Sequence, residues 1–258
     1  MSPNLRRPWP PLITRVAKGL APTEAGLALI PAAAQMRDAA ARLSLTSAGR
    51  QEQLSDTVRL TASQVVSFFV LPAMLARLRE AEPGIEIELV ASDSTENLLF
   101  READIALRLY RPTPNDVVTR HLIDLPIGLY GAKDYLNLHS RPQSIEAMGR
   151  FDLVVMDRSD LMLHVVAGLD LGRRREDFPM RCDDQLVYWA RVCGGCGLGG
   201  ALTLIGDADP LMESVAAFLP RPVLPIWLTA PEALRQNLRI RRVLDRLAAE
   251  FRNLAPPA

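Results

Sequence analysis

The sequence predicts an α/β protein with a largely parallel sheet, arranged as two small lobes in one chain. Three observations lead there. Short apolar runs of strand character alternate with helical segments through residues 57–254, the order that a sheet covered by crossover helices requires. The 258 residues are 48% hydrophobic and 23% charged, which supplies a packed core for one large domain or two smaller ones and excludes global disorder. The alternation of residues 57–131 returns in style, without any repeat of sequence, over residues 153–254.

Residues 1–11 (MSPNLRRPWPP) hold four prolines and no apolar period, so they read as an irregular arm. Pro22-Thr23-Glu24 opens a helix, with Thr23 as N-cap and Glu24 against the positive end of the dipole. Leu29, Ala33, Met36, Ala40 and Leu43 follow at spacings of four and three, a seam suited to a partner helix. Packing on its own domain is the alternative. Pro31 is a kink position, and the polar residues 44–55 read as a hinge.

The first lobe begins with a strand at residues 58–61, followed by a helix over 64–80. Pro83-Gly84 turns the chain into residues 85–90 (IEIELV), which alternate with period two as a strand. A short helix over 96–102 leads to a strand at 105–109, and a further strand over 121–130 stops at Gly131. In the second stretch, residues 153–156 read as a strand and 184–193 as a helix ended by Gly194-Gly195. An apolar run at 198–204 enters an acidic turn at 206–210, and a helix is expected over 211–218. A strand at 224–229 and a closing helix from about 230 to 254, with Leu238, Val243, Leu247 and Phe251 on one side, complete the chain.

No catalytic constellation stands out. Cys193-Gly-Gly-Cys196 has redox spacing, but it lies where a helix ends, and that end of the dipole raises a thiol pKa rather than lowering it. There is no second pair to complete a zinc site. Gly195, Gly197 and Gly200 satisfy the dinucleotide fingerprint on paper, yet that motif must follow a strand and open a helix. These glycines read as a helix C-cap and points of close backbone approach. His121, His139 and His164 are scattered without metal-ligand spacing. No metal, cofactor or catalytic residue is expected.

One arrangement does point to a ligand. Ser63 and Gln64 stand where a strand ends and a helix begins, where free backbone N–H groups accumulate. Ser92, Asp93 and Ser94 occupy the corresponding place after the next strand, and Arg108 ends the one after that. In open α/β sheets ligands bind beyond the carboxyl ends of strands, so these residues together suit a small carboxylate. Ordinary N-capping by Ser is the alternative.

Thirty basic and thirty acidic residues cancel. Residues 1–50, however, carry Arg6, Arg7, Arg15, Lys18, Arg37, Arg42 and Arg50 against only Glu24 and Asp38. Either an anionic partner meets that end or it is a solvated basic arm. The longest uncharged run, residues 60–76, is 17 long and interrupted by polar residues and Pro72, short of the roughly 20 apolar residues that span a bilayer. An export signal over residues 25–34 is opposed by Glu24, Gly26 and Pro31.

Leu12-Ile-Thr-Arg15, Lys18-Gly19-Leu20 and Pro22-Thr23-Glu24-Ala25-Gly26 together resemble the wing and linker-helix start of LysR-type transcriptional regulators. Leu71-Pro72, Glu82-Pro83-Gly84, Ala103-Asp-Ile-Ala-Leu-Arg108, the turn at 195–199 and Trp227-Leu228 follow in the family's order over residues 12–254. The resemblance implies two Rossmann-like lobes of the type-2 periplasmic-binding-protein fold, joined by crossovers near 130–132 and 222–225. They are preceded by a linker helix and a remnant of a winged helix-turn-helix. It divides the chain into residues 1–21 (wing end), 22–55 (linker and dimerisation helix with hinge) and 56–258 (effector domain). Within the last, lobe I is 56–131 with 224–258, and lobe II is 132–223.

The resemblance further implies a small-molecule effector, an anionic one by the charge logic above, gripped in the inter-lobe cleft by Ser63, Gln64, Ser92, Asp93, Ser94 and Arg108. It implies a homodimer or homotetramer in the cytoplasm with no membrane association. Only eleven residues precede Leu12, so an intact DNA-recognition helix is not expected in them, and Arg15 and Lys18 are left as DNA phosphate contacts. The rival reading is a free-standing solute-binding protein of the same fold. An enzyme on this fold would need an acid–base pair that the sequence does not offer.

Overall fold

The structure, a computed structural model, describes residues 10–16, 19–48, 56–93, 103–112, 117–156, 177–234 and 236–254. It opens with an antiparallel hairpin, β1 (Ile13–Val16) and β2 (Gly19–Pro22). Helix α1 (Glu24–Ala48) follows. Thr23 caps it, its Oγ1 accepting from the Gly26 N–H at 3.1 Å and donating to the Pro11 carbonyl at 2.7 Å. Leu27, Leu29, Ile30 and Met36 of α1 are exposed.

The main sheet contains three parallel strands. β3 (Asp56–Ala62) lies between β4 (Ile85–Ala91) and β5 (Ile105–Arg108). β11 (Val223–Pro231) then runs antiparallel to β5 and to the long β6 (Val117–Ala132). Residues 117–126 of β6 pair with β11, whereas 127–132 pair with β9 (Gly199–Leu202) and β10 (Met212–Val215). β6 therefore belongs to both lobes, and the Ile127 N–H donates to the Pro222 carbonyl at 2.8 Å where the partners change. In the second lobe β7 (Val154–Val155) lies parallel to β8 (Met180–Arg181).

The helices are α2 (Gln64–Phe69), α3 (Leu71–Ala81), α4 (Lys133–His139), α5 (Ile145–Met148), α6 (Gln185–Cys193), α7 (Thr203–Gly206) and α8 (Leu238–Arg252). One face of the first-lobe sheet (Val58, Leu60, Leu107, Ile226, Leu228) is buried in a core with Leu71, Met74 and Leu78 of α3 and Ile240, Val243, Leu247 and Phe251 of α8. Each such side chain contributes about 1.5–3 kcal/mol on burial. Asn237 caps α8 by accepting from the Ile240 N–H at 3.2 Å.

Several elements differ from the sequence expectation. The sheet is mixed rather than largely parallel, because β11 pairs antiparallel with β5 and β6, and β6 pairs antiparallel with β9 and β10. The partner change in β6 falls at 126–127, ahead of the expected crossover at 130–132. The helix expected over 64–80 is two, parted at Val70, with Pro72 in the first turn of α3 where its missing N–H has no intrahelical role. Residues 212–215 form β10 instead of a helix, since pairing with β6 overrides local propensity. The closing helix starts at Leu238, because β11 extends to Pro231 and a 3-10 turn (Glu232–Leu234) follows. Helices α4 and α5 were not foreseen. The short helix expected over 96–102 lies outside the described residues.

Candidate functional site

Asp184 sets the first wall of the cleft. Its carboxylate caps α6 by accepting from the N–H groups of Leu186 at 3.0 Å and Val187 at 2.9 Å. The helix thereby turns Gln185, Tyr188 and Trp189 toward a cavity of about 610 Å3. Gly200, Ala201 and Leu202 of β9, Ile205 of α7 and Met156 complete the second-lobe side. Val65 of α2 and residues 109–111 after β5 form the first-lobe side. Ile127 and residues 223–225, where β6 and β11 cross between lobes, also line it.

The glycines of β9 let the wall close. The Tyr188 hydroxyl oxygen accepts from the Gly200 N–H at 2.7 Å, and burial raises the phenol pKa. The phenol therefore stays protonated. Gly197 has φ +142°, and a Cβ there would stand 2.5 Å from the Asp152 carbonyl oxygen, so a glycine is required. Trp189 meets Tyr130 edge to face at 6.1 Å, and the Tyr130 hydroxyl donates to Asp207 at 2.7 Å.

The cavity walls are mostly apolar. Among the described lining residues Arg111 is the one cation, and there is no carboxylate. Its guanidinium lies 5.4 Å from the Trp227 ring centroid, a cation–π distance. His121 contacts the same indole edge to face at 5.2 Å and pairs with Asp124 at 2.7 Å.

The residues expected from sequence gather beside this cavity without lining it. Ser63, Gln64, Asp93 and Arg108 stand at the carboxyl ends of β3, β4 and β5, and the cavity is touched by Val65 and Leu109 next to them. Arg108 is only 4% exposed. Its Nη1 donates to the Leu107 carbonyl at 3.1 Å and its Nη2 to Thr61 Oγ1 at 3.5 Å. Among the described residues, Arg108 Nε and the buried Ser63 Oγ have no hydrogen-bond partner, nor do Trp227 Nε1 and Thr229 Oγ1. Burial lowers the Arg108 pKa, opposed by Tyr110 and Asp93.

The Gln64 N–H, expected to face a ligand, donates to the Asp93 carboxylate at 3.2 Å. Burial raises the Asp93 pKa against the pull of that N–H and of Arg108. The Ser92 N–H donates to the Ala62 carbonyl at 2.8 Å and so prolongs the β3–β4 ladder. Arg15 is exposed on β1, opposite Leu20. Ser94 and Lys18 lie outside the described residues. Tyr110, Arg111, Gln185, Tyr188 and Trp189 escaped sequence reasoning. The helix carrying three of them is legible, but which of its faces borders a cavity is a tertiary fact.

The Cys193-Gly-Gly-Cys196 segment holds free thiols at the end of α6. Burial, with Asp209 nearby, pushes the Cys193 thiol up to about 11. Among the described residues no group of side chains has metal-binding character, and no helix is long and apolar enough to cross a membrane.

Residues 51–252 match the family described as the LysR substrate binding domain. This chain belongs to the LysR family of transcriptional regulators. Among its relatives, the HTH-type transcriptional regulator CrgA of Neisseria meningitidis serogroup C (strain 8013) is 26% identical over 251 residues, covering 94% of this chain and 83% of that protein. The Mau operon transcriptional activator of Paracoccus denitrificans is 32% identical over 237 residues, covering 89% and 77%. The solved regulatory domain of CrgA from Neisseria meningitidis superposes with a TM-score of 0.69 at 23% identity, over 76% of this chain and 99% of that domain. The LysR fold is thus the periplasmic-binding-protein-like arrangement of two α/β lobes, and the relatives are named as regulators of transcription, not as enzymes.

Proposed function

We propose that this chain is the effector-sensing part of a LysR-type regulator, in which a small molecule entering the inter-lobe cavity biases the two lobes toward closure. The observation that carries this is the cavity itself: about 610 Å3, with walls from both lobes, at the point where β6 and β11 join them. A ligand touching both walls binds the closed state better than the open one, and that difference is the signal.

At the first-lobe rim the contacts are Ser63, Gln64, Ser92, Asp93, Ser94 and Arg108. The partnerless Ser63 Oγ and Arg108 Nε support this reading, since buried polar atoms are ordinarily paired. The signal reaches a second copy of the chain through α1, in a homodimer or homotetramer. The exposed Leu29, Ala33 and Met36 of its seam support that route. Arg15 and Lys18 meet DNA phosphate, which fits the HTH-type names of the relatives, and the protein works in the cytoplasm.

The test is a melting-temperature screen of the full chain against a small-molecule panel, followed by calorimetry on hits. Ligands that raise the melting temperature should bind Ser63→Ala and Gln64→Ala more weakly. Unchanged affinity in both variants removes these residues from the site.

A further inference from the structure

Four candidate sites compete for attention outside the rim residues. The groove between α3 and α8 is bridged by the Arg77–Glu250 ion pair at 2.6 Å, which leaves these two charges already matched. The Cys193 and Cys196 thiols sit at the wrong end of a helix for reactivity. The exposed apolar side of α1 already serves the proposed assembly. The chemical character of the cavity remains, and it is informative.

Three features of that cavity point the same way. Its walls are mostly apolar, with Met156, Trp189 and Ile205 among them, so the body of a ligand must be apolar to replace the water they exclude. Its polar groups are donors or can donate: the Arg111 guanidinium, the Tyr188 hydroxyl, whose oxygen is already used by the Gly200 N–H, and the Gln185 amide. No carboxylate is among the described lining residues, and the Asp93 carboxylate at the rim is taken by the Gln64 N–H, so these walls offer a cationic or zwitterionic ligand no free counter-charge.

Arg111 and Arg108 differ in availability. Arg108 is buried at the rim, with Nη1 donating to Leu107, Nη2 to Thr61 and only Nε left for a ligand, and it is not among the lining residues of the cavity. Arg111 reaches the cavity, and among the described residues its guanidinium has an indole under it and no carboxylate beside it. The cation–π contact at 5.4 Å keeps the Arg111 guanidinium near Trp227 without using up its N–H donors, which suits an anion.

We propose that the cleft takes an apolar or aromatic monoanion, and that Arg111, held on the indole of Trp227, is the residue that selects its charge. This rests on the reading of the cavity as the effector site. A second anionic group would have no partner among the described lining residues, so monoanions are preferred over dianions.

A matched pair of fluorescent probes tests it on the full chain. 1-Anilinonaphthalene-8-sulfonate and N-phenyl-1-naphthylamine share one aromatic body, and only the first carries an anion. Both should bind saturably, the anion more tightly. Arg111→Gln should weaken the anionic probe about tenfold, the loss of one charge-assisted contact, and leave the neutral probe unchanged. Ala201→Trp, which fills the cavity, should abolish both. Val65→Trp fills it from the opposite wall should the first variant not fold. Loss of both probes in a filled variant, with Arg111→Gln leaving their ratio unchanged, overturns the role of Arg111 and leaves the cavity reading standing. Probe binding undiminished in both filled variants, or no binding of either probe to the wild-type chain, overturns the cavity reading itself.

Discussion

Asp93 supplies its own carboxylate to the helix start that a ligand was expected to occupy. Its pKa is raised, chiefly by burial, so the fold favours the protonated acid. The stability associated with that shift is fully present below the unfolded pKa and is lost as pH rises through the folded value. Asp93→Asn keeps an acceptor for the Gln64 N–H without the charge. It should therefore be at least as stable as the wild type at neutral pH, with the advantage shrinking in acid, as followed by urea melts across that range. Cys193 makes a parallel case. With its thiol pushed up to about 11, little thiolate exists near neutrality. Iodoacetamide should modify Cys193 much more slowly in the folded chain at pH 8 than in urea, and mass-spectrometric mapping should show the folded rate rising as pH approaches 11. Equal rates at pH 8 would contradict the raised thiol pKa.

Helix α6 and the turn after it position three cavity residues through two local devices. Asp184→Ala removes an acceptor used by two backbone N–H groups, which should cost about 1 kcal/mol in chemical denaturation and also weaken ligand binding, because Gln185, Tyr188 and Trp189 lie in the first turns that this cap holds. Gly197→Ala meets a positive φ and the Asp152 carbonyl together. It should cost at least about 2 kcal/mol by the same measurement. These devices were half visible in the sequence. The end of α6 at Gly194-Gly195 and the need for close backbone approach follow from glycine chemistry. The identity of the approached carbonyl does not, since Asp152 is 45 positions away.

At the scale of the molecule, the two lobes share β6, while α1 meets them at the 3-10 turn Glu232–Leu234 and exposes Leu27, Ile30 and Met36. Residues 51–258 alone should therefore melt within a few degrees of the full chain but associate more weakly in sedimentation velocity. Met36→Glu in the full chain should shift that equilibrium toward the monomer. Unaltered association in both would move the contact away from α1.

What could be known from residue order was local: the parallel triplet β3, β4 and β5 with the helical stretch between β3 and β4, the Thr23 cap, the helix of residues 185–193, and the strand ends carrying Ser63, Asp93 and Arg108. Period, capping chemistry and turn residues act within a few positions of the chain, so they leave their mark on it. The antiparallel return of β6 and β11, the conversion of residues 212–215 to a strand, and the assembly of Val65, Arg111, Tyr188 and Ala201 around one cavity have no such mark. They arise from pairing and packing between segments tens to more than a hundred residues apart, where burial outweighs the weak preferences of each segment.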